Sequence, residues 1–213
     1  MTRRMAEAAF RTAQEGEAAT AAHMAPIAAF VAGIRDRDGR GWAPGIAPHH
    51  GGVDARVLSV LRDPGPATQV GVGSGFLSVE NDDPTAERQA VLFAEHGIRD
   101  RDVLPWNAYP WYINAAPNAE QGRAGAQVLV ELIRLLPHLE VVLLQGRDAE
   151  RIWDRALVLD PALPGPGVEV VRTIHPGRQA LFHRDPAVRA ERQAHQVAAF
   201  ARVGAILAAE PTT

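Results

Sequence analysis

Three polar side chains stand where apolar runs of the chain stop: Asp63 in "SVLRDPGPAT", Asn107 in "DVLPWNAYPW" and His175 in "VEVVRTIHPG". A carboxylate on a rigid strand end can orient a water, take its proton and stabilise nearby positive charge. A carboxamide offers a donor and an acceptor side by side, which suits reading the edge of a polar ring. An imidazole N–H can hydrogen-bond an oxyanion that develops on a leaving group. Acid, amide and imidazole on one edge of a fold therefore suit hydrolysis of a recognised group. Each residue also has a plainer use. Asp before Pro caps turns, Asn favours turns, and a strand-end His can satisfy backbone groups.

Other chemistries are excluded by what the chain lacks. It has no cysteine, which removes disulfides, thiolate catalysis and cysteine-held iron–sulfur or zinc sites. All 22 residues counted as Lys+Arg are arginine, so no lysine can form a Schiff base. No Gly-x-Ser-x-Gly nucleophile elbow occurs. The pair His49-His50 lacks a clear third ligand, so no metal is expected, and these two, with His138 and His195, are assigned to the surface or to loops. The formal net charge is −3, yet Arg172 to Arg202 holds six arginines against Asp185 and Glu191. That segment is locally basic.

The elements that must position the three residues can be read from pattern. "ARVLSVLRD", "DVLPWNAYPW", "EVVLLQG" and "VEVVRTIHPG" are short, nearly continuous apolar runs, as buried parallel strands are. Between them lie helical stretches, the best marked being "DDPTAERQAVLFAEHG", with acid caps, Pro84 in the first turn and Gly97 as a stop. Strands alternating with helices imply an α/β fold of three α/β/α layers around a short four-stranded parallel sheet. In such sheets sites lie beyond the carboxyl ends of the strands, where Asp63, Asn107, Gln145-Gly146 and His175 fall. A single domain over 1–213 is expected, with residues 1–45 as a helical N-terminal extension. No run of 18 apolar residues and no secretory signal occurs, so a cytoplasmic protein away from membranes is expected. A monomer is expected as well.

These strand ends resemble motifs of the uracil-DNA glycosylase superfamily. "RDPGP" is similar to its first motif, Gly-Gln-Asp-Pro-Tyr in one branch and Asn-Pro-Gly in others. "GFLSV" is similar to the Phe-Ser stretch next in that order, and Phe76 lies thirteen residues after Asp63, the spacing of the best-known branch. "VLPWNAYPW" resembles the strand that delivers a uracil-reading Asn, and "TIHPGRQALFHR" resembles the His-Pro-Ser motif with its loop. The order fits from about residue 55 to residue 200.

The resemblance implies a monofunctional enzyme that hydrolyses the N-glycosidic bond of uracil in DNA, without a cofactor, after flipping the base from the stack. It implies that Asp63 positions water, His175 stabilises the leaving base, Asn107 reads it and Phe76 stacks beneath it. Pro64 and Gly65 would bring backbone close to the base. Leu181 or Arg178 would wedge into the duplex, and Arg178 and Arg184 would hold phosphates. Glu80 is the next candidate for the base if Asp63 is not. Three positions depart from the best-known branch. Gly65 replaces the Tyr that blocks the thymine methyl, so exclusion of thymine is not implied. Arg62 replaces Gln, and Gly177 replaces Ser. Two other functions stay open: the same fold acting on another deaminated base such as hypoxanthine, and a nucleic-acid-binding protein without catalysis.

Overall fold

Valine and leucine runs buried on both sides build the centre of the molecule. The computed structural model describes residues 3–209. Its strands are β1 (Gly45–Ile46), β2 (Val57–Leu61), β3 (Phe76–Leu77), β4 (Val103–Asn107), β5 (Val141–Gln145) and β6 (Glu169–Thr173). Its α-helices are α1 (Ala8–Ala18), α2 (Ala25–Ile34), α3 (Pro84–Glu95), α4 (Ala119–Ile133), α5 (Arg147–Leu159), α6 (Arg178–Leu181) and α7 (Pro186–Ala208). The main sheet has the order β4-β2-β5-β6 with every pairing parallel. Pro105 sits in β4, where an edge strand tolerates a residue without an N–H. The strands β1 and β3 form a separate parallel pair.

The sheet is covered on both faces. Leu58, Val60, Leu104 and Leu144 pack with α2, α4 and α5. Val57, Val103, Val141, Leu143 and Val171 face the other way, toward α3 and α7. Burial on both faces explains why these strands read as continuous apolar runs rather than alternating ones. The first helices are part of this core, since Ile27, Val31 and Ile34 of α2 are at most 2% exposed within it. The 1–45 extension expected from the sequence is thus packed into the body of the domain from α2 onward.

Strand register sets the chemistry of the sheet's carboxyl edge. On the α3/α7 face, three of the four strands, β4, β5 and β6, end in a polar residue. Asn107 aligns with Leu61, Gln145 comes after the Leu144 that aligns with Val60, and Thr173 aligns with Gln145. One row across the sheet therefore reads Asn107, Leu61, Gln145, Thr173, all facing the same side. Ser59 lies one row behind, on that same side. Among the described residues no single helix is long and apolar enough to cross a membrane.

Candidate active site

The chain leaves β2 for β4 on one side of the sheet and returns to β5 on the other, so the connections diverge at the carboxyl end of β2. A cavity of about 660 Å³ lies there. Ligand pockets commonly span about 300–1,000 Å³. The strand ends bring Asp63, Pro64, Gly65, Asn107 and His175 into its lining, together with Arg178 from α6.

Asp63 lies two residues beyond β2, and its side chain is only 4% exposed. Arg62 Nε donates to its Oδ1 at 2.5 Å. Its Oδ2 is buried without a well-formed hydrogen bond. Burial pushes the carboxyl above its ordinary pKa, while Arg62 and the backbone amides of Ala115 and Asn114 pull the other way without cancelling it.

His175 lies beyond β6 in the loop that turns into α6. Its Nδ1 accepts the Gly177 N–H at 2.9 Å, so in the neutral ring the proton sits on Nε2. Burial first, then the Arg62 charge, holds its pKa below the ordinary value, while Asp148 works against them. The neutral ring is thus the resting form at neutral pH. Gly177 permits this turn, since a Cβ there would lie 2.9 Å from Nδ1. That accounts for glycine where the similar motif carries serine. Gly146 does comparable work: its φ is +99°, and a Cβ would meet His175 Cβ at 3.1 Å.

Asn107 ends β4 and is 2% exposed, with Oδ1 buried and unpaired. Such orphaned atoms collect here. Among the described residues eight buried side-chain polar atoms lack a partner, and four belong to residues lining this cavity: Asp63 Oδ2, Trp106 Nε1, Asn107 Oδ1 and Gln145 Oε1. An unpaired buried polar group costs about 1–3 kcal/mol, so a concentration of them marks a surface waiting for a ligand.

Several expected residues fall elsewhere. Phe76 is not in the cavity lining; its neighbour Leu77 is, and the Phe76 ring lies beside Gly45. Leu181 and Arg184, expected to meet the duplex rather than the base, lie outside the lining, on and just after α6. Glu80 is corrected outright as a candidate base. It is 5% exposed, outside the lining, and holds Arg4, accepting the Arg4 N–H at 3.0 Å and pairing with Nε at 3.0 Å. His50 lies in a loop, as expected, and is fully buried there. Its Nδ1–H donates to the Asp100 carbonyl at 3.2 Å, and its Nε2 accepts from Val79 N–H at 3.3 Å. His49 is largely buried too, and burial holds its pKa down to about 4. Among the described residues no group of three or more His, Asp or Glu is disposed to hold a metal ion.

Two features are not legible in the sequence. Gln145 shows there only as a strand terminator; strand register is what turns it toward the cavity. Phe182, just past α6, is 63% exposed at the end of the Arg178 loop. Arg192 Nη1 donates to the carbonyls of Ala180 (3.1 Å) and Phe182 (2.7 Å), and Arg189 Nη1 donates to that of His183 (2.7 Å). A stapled loop that displays a large apolar side chain is a local signal, the "LF" dipeptide, that only solvent exposure makes informative.

Comparison with known protein families finds no matching family model, and comparison with curated proteins finds no match.

Proposed function

We propose that the chain is a monofunctional DNA glycosylase that removes uracil or a closely related deaminated base. The observation that carries this is the cavity at the sheet's carboxyl edge, where Asp63, Asn107 and His175 meet beside unpaired buried polar atoms. Its support outside the cavity is the resemblance of the strand-end motifs to uracil-DNA glycosylases.

The side chains define the chemistry. A flipped base enters the cavity, and Asn107 pairs with its imide edge through Oδ1 and Nδ2. Phe182 enters the space that the base leaves in the duplex. Asp63 orients a water toward the anomeric carbon and stabilises the cation-like sugar. The water oxygen bonds to that carbon as the carbon–nitrogen bond breaks, and Asp63 takes the released proton. The base departs as an anion, and the Nε2–H of neutral His175 hydrogen-bonds its oxygen. A neutral donor suffices, because the developing charge sits in a low-dielectric pocket where one hydrogen bond counts for more than in water.

The test is single-turnover incubation with duplexes that carry one uracil, hypoxanthine or normal base, then cleavage at abasic sites. Uracil or hypoxanthine release that is lost in His175→Ala is the expected result. Tight binding of the same DNA with no base released from any duplex would turn the reading toward a nucleic-acid-binding protein.

A further inference from the structure

Gln145 holds an unpaired buried acceptor at the cavity that the proposed mechanism does not use. It lies in the same row as Asn107, on the far side of β2. Neighbouring strands are about 4.8 Å apart, so the two backbones stand on the order of 10 Å apart, with Leu61 between them. A flat ring lying over Leu61 would present one edge to Asn107 and another to Gln145.

The Gln145 amide is held in one orientation. Its Nε2 donates to Ser59 Oγ at 2.8 Å, and Gln89 Nε2 donates to the same oxygen at 3.2 Å. Ser59 is 1% exposed and Gln89 is 5% exposed, so the relay is shielded from bulk water. Gln145 itself is 1% exposed, and its Oε1 has no partner. A buried acceptor that lines a ligand cavity selects a ligand with a donor, because any other ligand leaves it unpaired.

We infer that Gln145 is a second base-reading residue, and that the preferred base brings an N–H or O–H donor beyond the imide N–H taken by Asn107. The inference rests on the glycosylase reading. Uracil joined to sugar through N1 has a single N–H, and Asn107 takes it. Gln145 Oε1 then stays unpaired. Xanthine joined through N9 has imide and ring N–H groups at two positions. 5-Hydroxymethyluracil has a hydroxyl in addition to its imide N–H. Space for the larger base exists at Gly65, where a Cβ would meet nothing within 4 Å.

The experiment compares single-turnover excision of uracil, xanthine and 5-hydroxymethyluracil from otherwise identical duplexes by the wild type, Gln145→Leu and Gln145→Glu. The wild type is expected to remove at least one of the two-donor bases roughly tenfold faster than uracil. Gln145→Leu should erase that preference while still releasing uracil, and Gln145→Glu, which keeps an acceptor, should retain it. If uracil is the best substrate of the wild type, or if the preference survives in Gln145→Leu, the inference is overturned and the glycosylase reading stands. If Gln145→Leu does not fold, the wild-type ordering and Gln145→Glu decide. If no base is released, the glycosylase reading falls. Calorimetric titration of 9-methylxanthine and 1-methyluracil, whose methyl groups stand where the sugar joins, into the wild-type protein then still tests Gln145, and equal binding of the two overturns the inference.

Discussion

At the scale of single residues, Asp63 is in conflict with its surroundings. Its side chain is 4% exposed, its Oδ2 is unpaired, and burial raises its pKa against the pull of Arg62. A carboxyl whose folded pKa exceeds its unfolded value binds its proton more tightly in the fold. Its ionisation therefore costs stability as pH rises through that window, and the cost is fully present at neutral pH. Asp63→Asn removes the charge and keeps the shape. The variant is expected to melt at the same temperature as the wild type or higher, and to release base at least about 100-fold more slowly. Thermal melts beside single-turnover rates check both halves, and a variant that melts lower yet cuts normally would remove Asp63 from the mechanism. The pH profile carries a second expectation. Because Asp63 must be ionised, the rate should fall on the acid side through a pKa raised above that of an ordinary aspartate by burial. Arg62 is the charge that pulls this pKa down, so Arg62→Gln should move the acid limb to higher pH. An unmoved limb would mean that some other group sets it.

At the scale of elements, the fold is legible in the sequence where burial is uniform and illegible where elements are short. The two central strands, β2 and β5, are buried on both faces, so each leaves a nearly continuous run of Val and Leu, while the edge strands β4 and β6 carry Pro105 and Arg172 within theirs. Helix α3 announces itself through Asp83, whose Oδ1 accepts from Thr85 N–H at 2.8 Å and Ala86 N–H at 3.0 Å. The pair β1–β3 has two residues per strand, and α6 has four residues, too few to show any period. The candidate site divides in the same way. Asp63, Asn107 and His175 can be found because each terminates a strand, whereas the Gln145–Ser59–Gln89 relay depends on register and on a helix that approaches from another part of the chain. Glu80 misleads for a related reason. Its partner Arg4 is 76 residues away, and nothing local signals the pairing. That pairing ties the N-terminal segment to the body, assisted by the bond from Met5 N–H to the Glu80 carbonyl at 2.9 Å. Glu80→Gln is therefore expected to leave the rate of base release near that of the wild type while speeding amide hydrogen exchange in residues 4–18. Loss of catalysis with unchanged exchange would return Glu80 to the active site.

At the scale of the whole molecule, the formal charge of −3 requires any contact with a polyanion to come from a local patch, and the arginines of the C-terminal third are not equivalent in this respect. Arg172 pairs with Asp154 at 2.8 Å and Arg202 with Glu169 at 2.6 Å, so both are already neutralised by acids. Arg189 and Arg192 spend donors on carbonyls of the loop that carries Phe182. Arg178 and Arg184 are exposed and make no ion pair among the described residues. A protein that replaces counterions on DNA shows affinity falling with salt at a log–log slope of about −0.9 per phosphate contacted. Only a small part of that slope is expected from this segment, because of its six arginines Arg178 and Arg184 alone make neither an ion pair nor a side-chain bond to a loop carbonyl among the described residues. Arg178→Ala and Arg184→Ala should each reduce its magnitude by about 0.9, one phosphate apiece, whereas Arg172→Ala should leave it unchanged. Fluorescence anisotropy with a labelled duplex over a range of salt concentrations measures all three. A slope that drops in Arg172→Ala and holds in Arg178→Ala would put the DNA against the face bearing Asp154 and Glu150. The cavity mouth, where Arg178 stands, would then be turned away from the strand whose base it is proposed to receive.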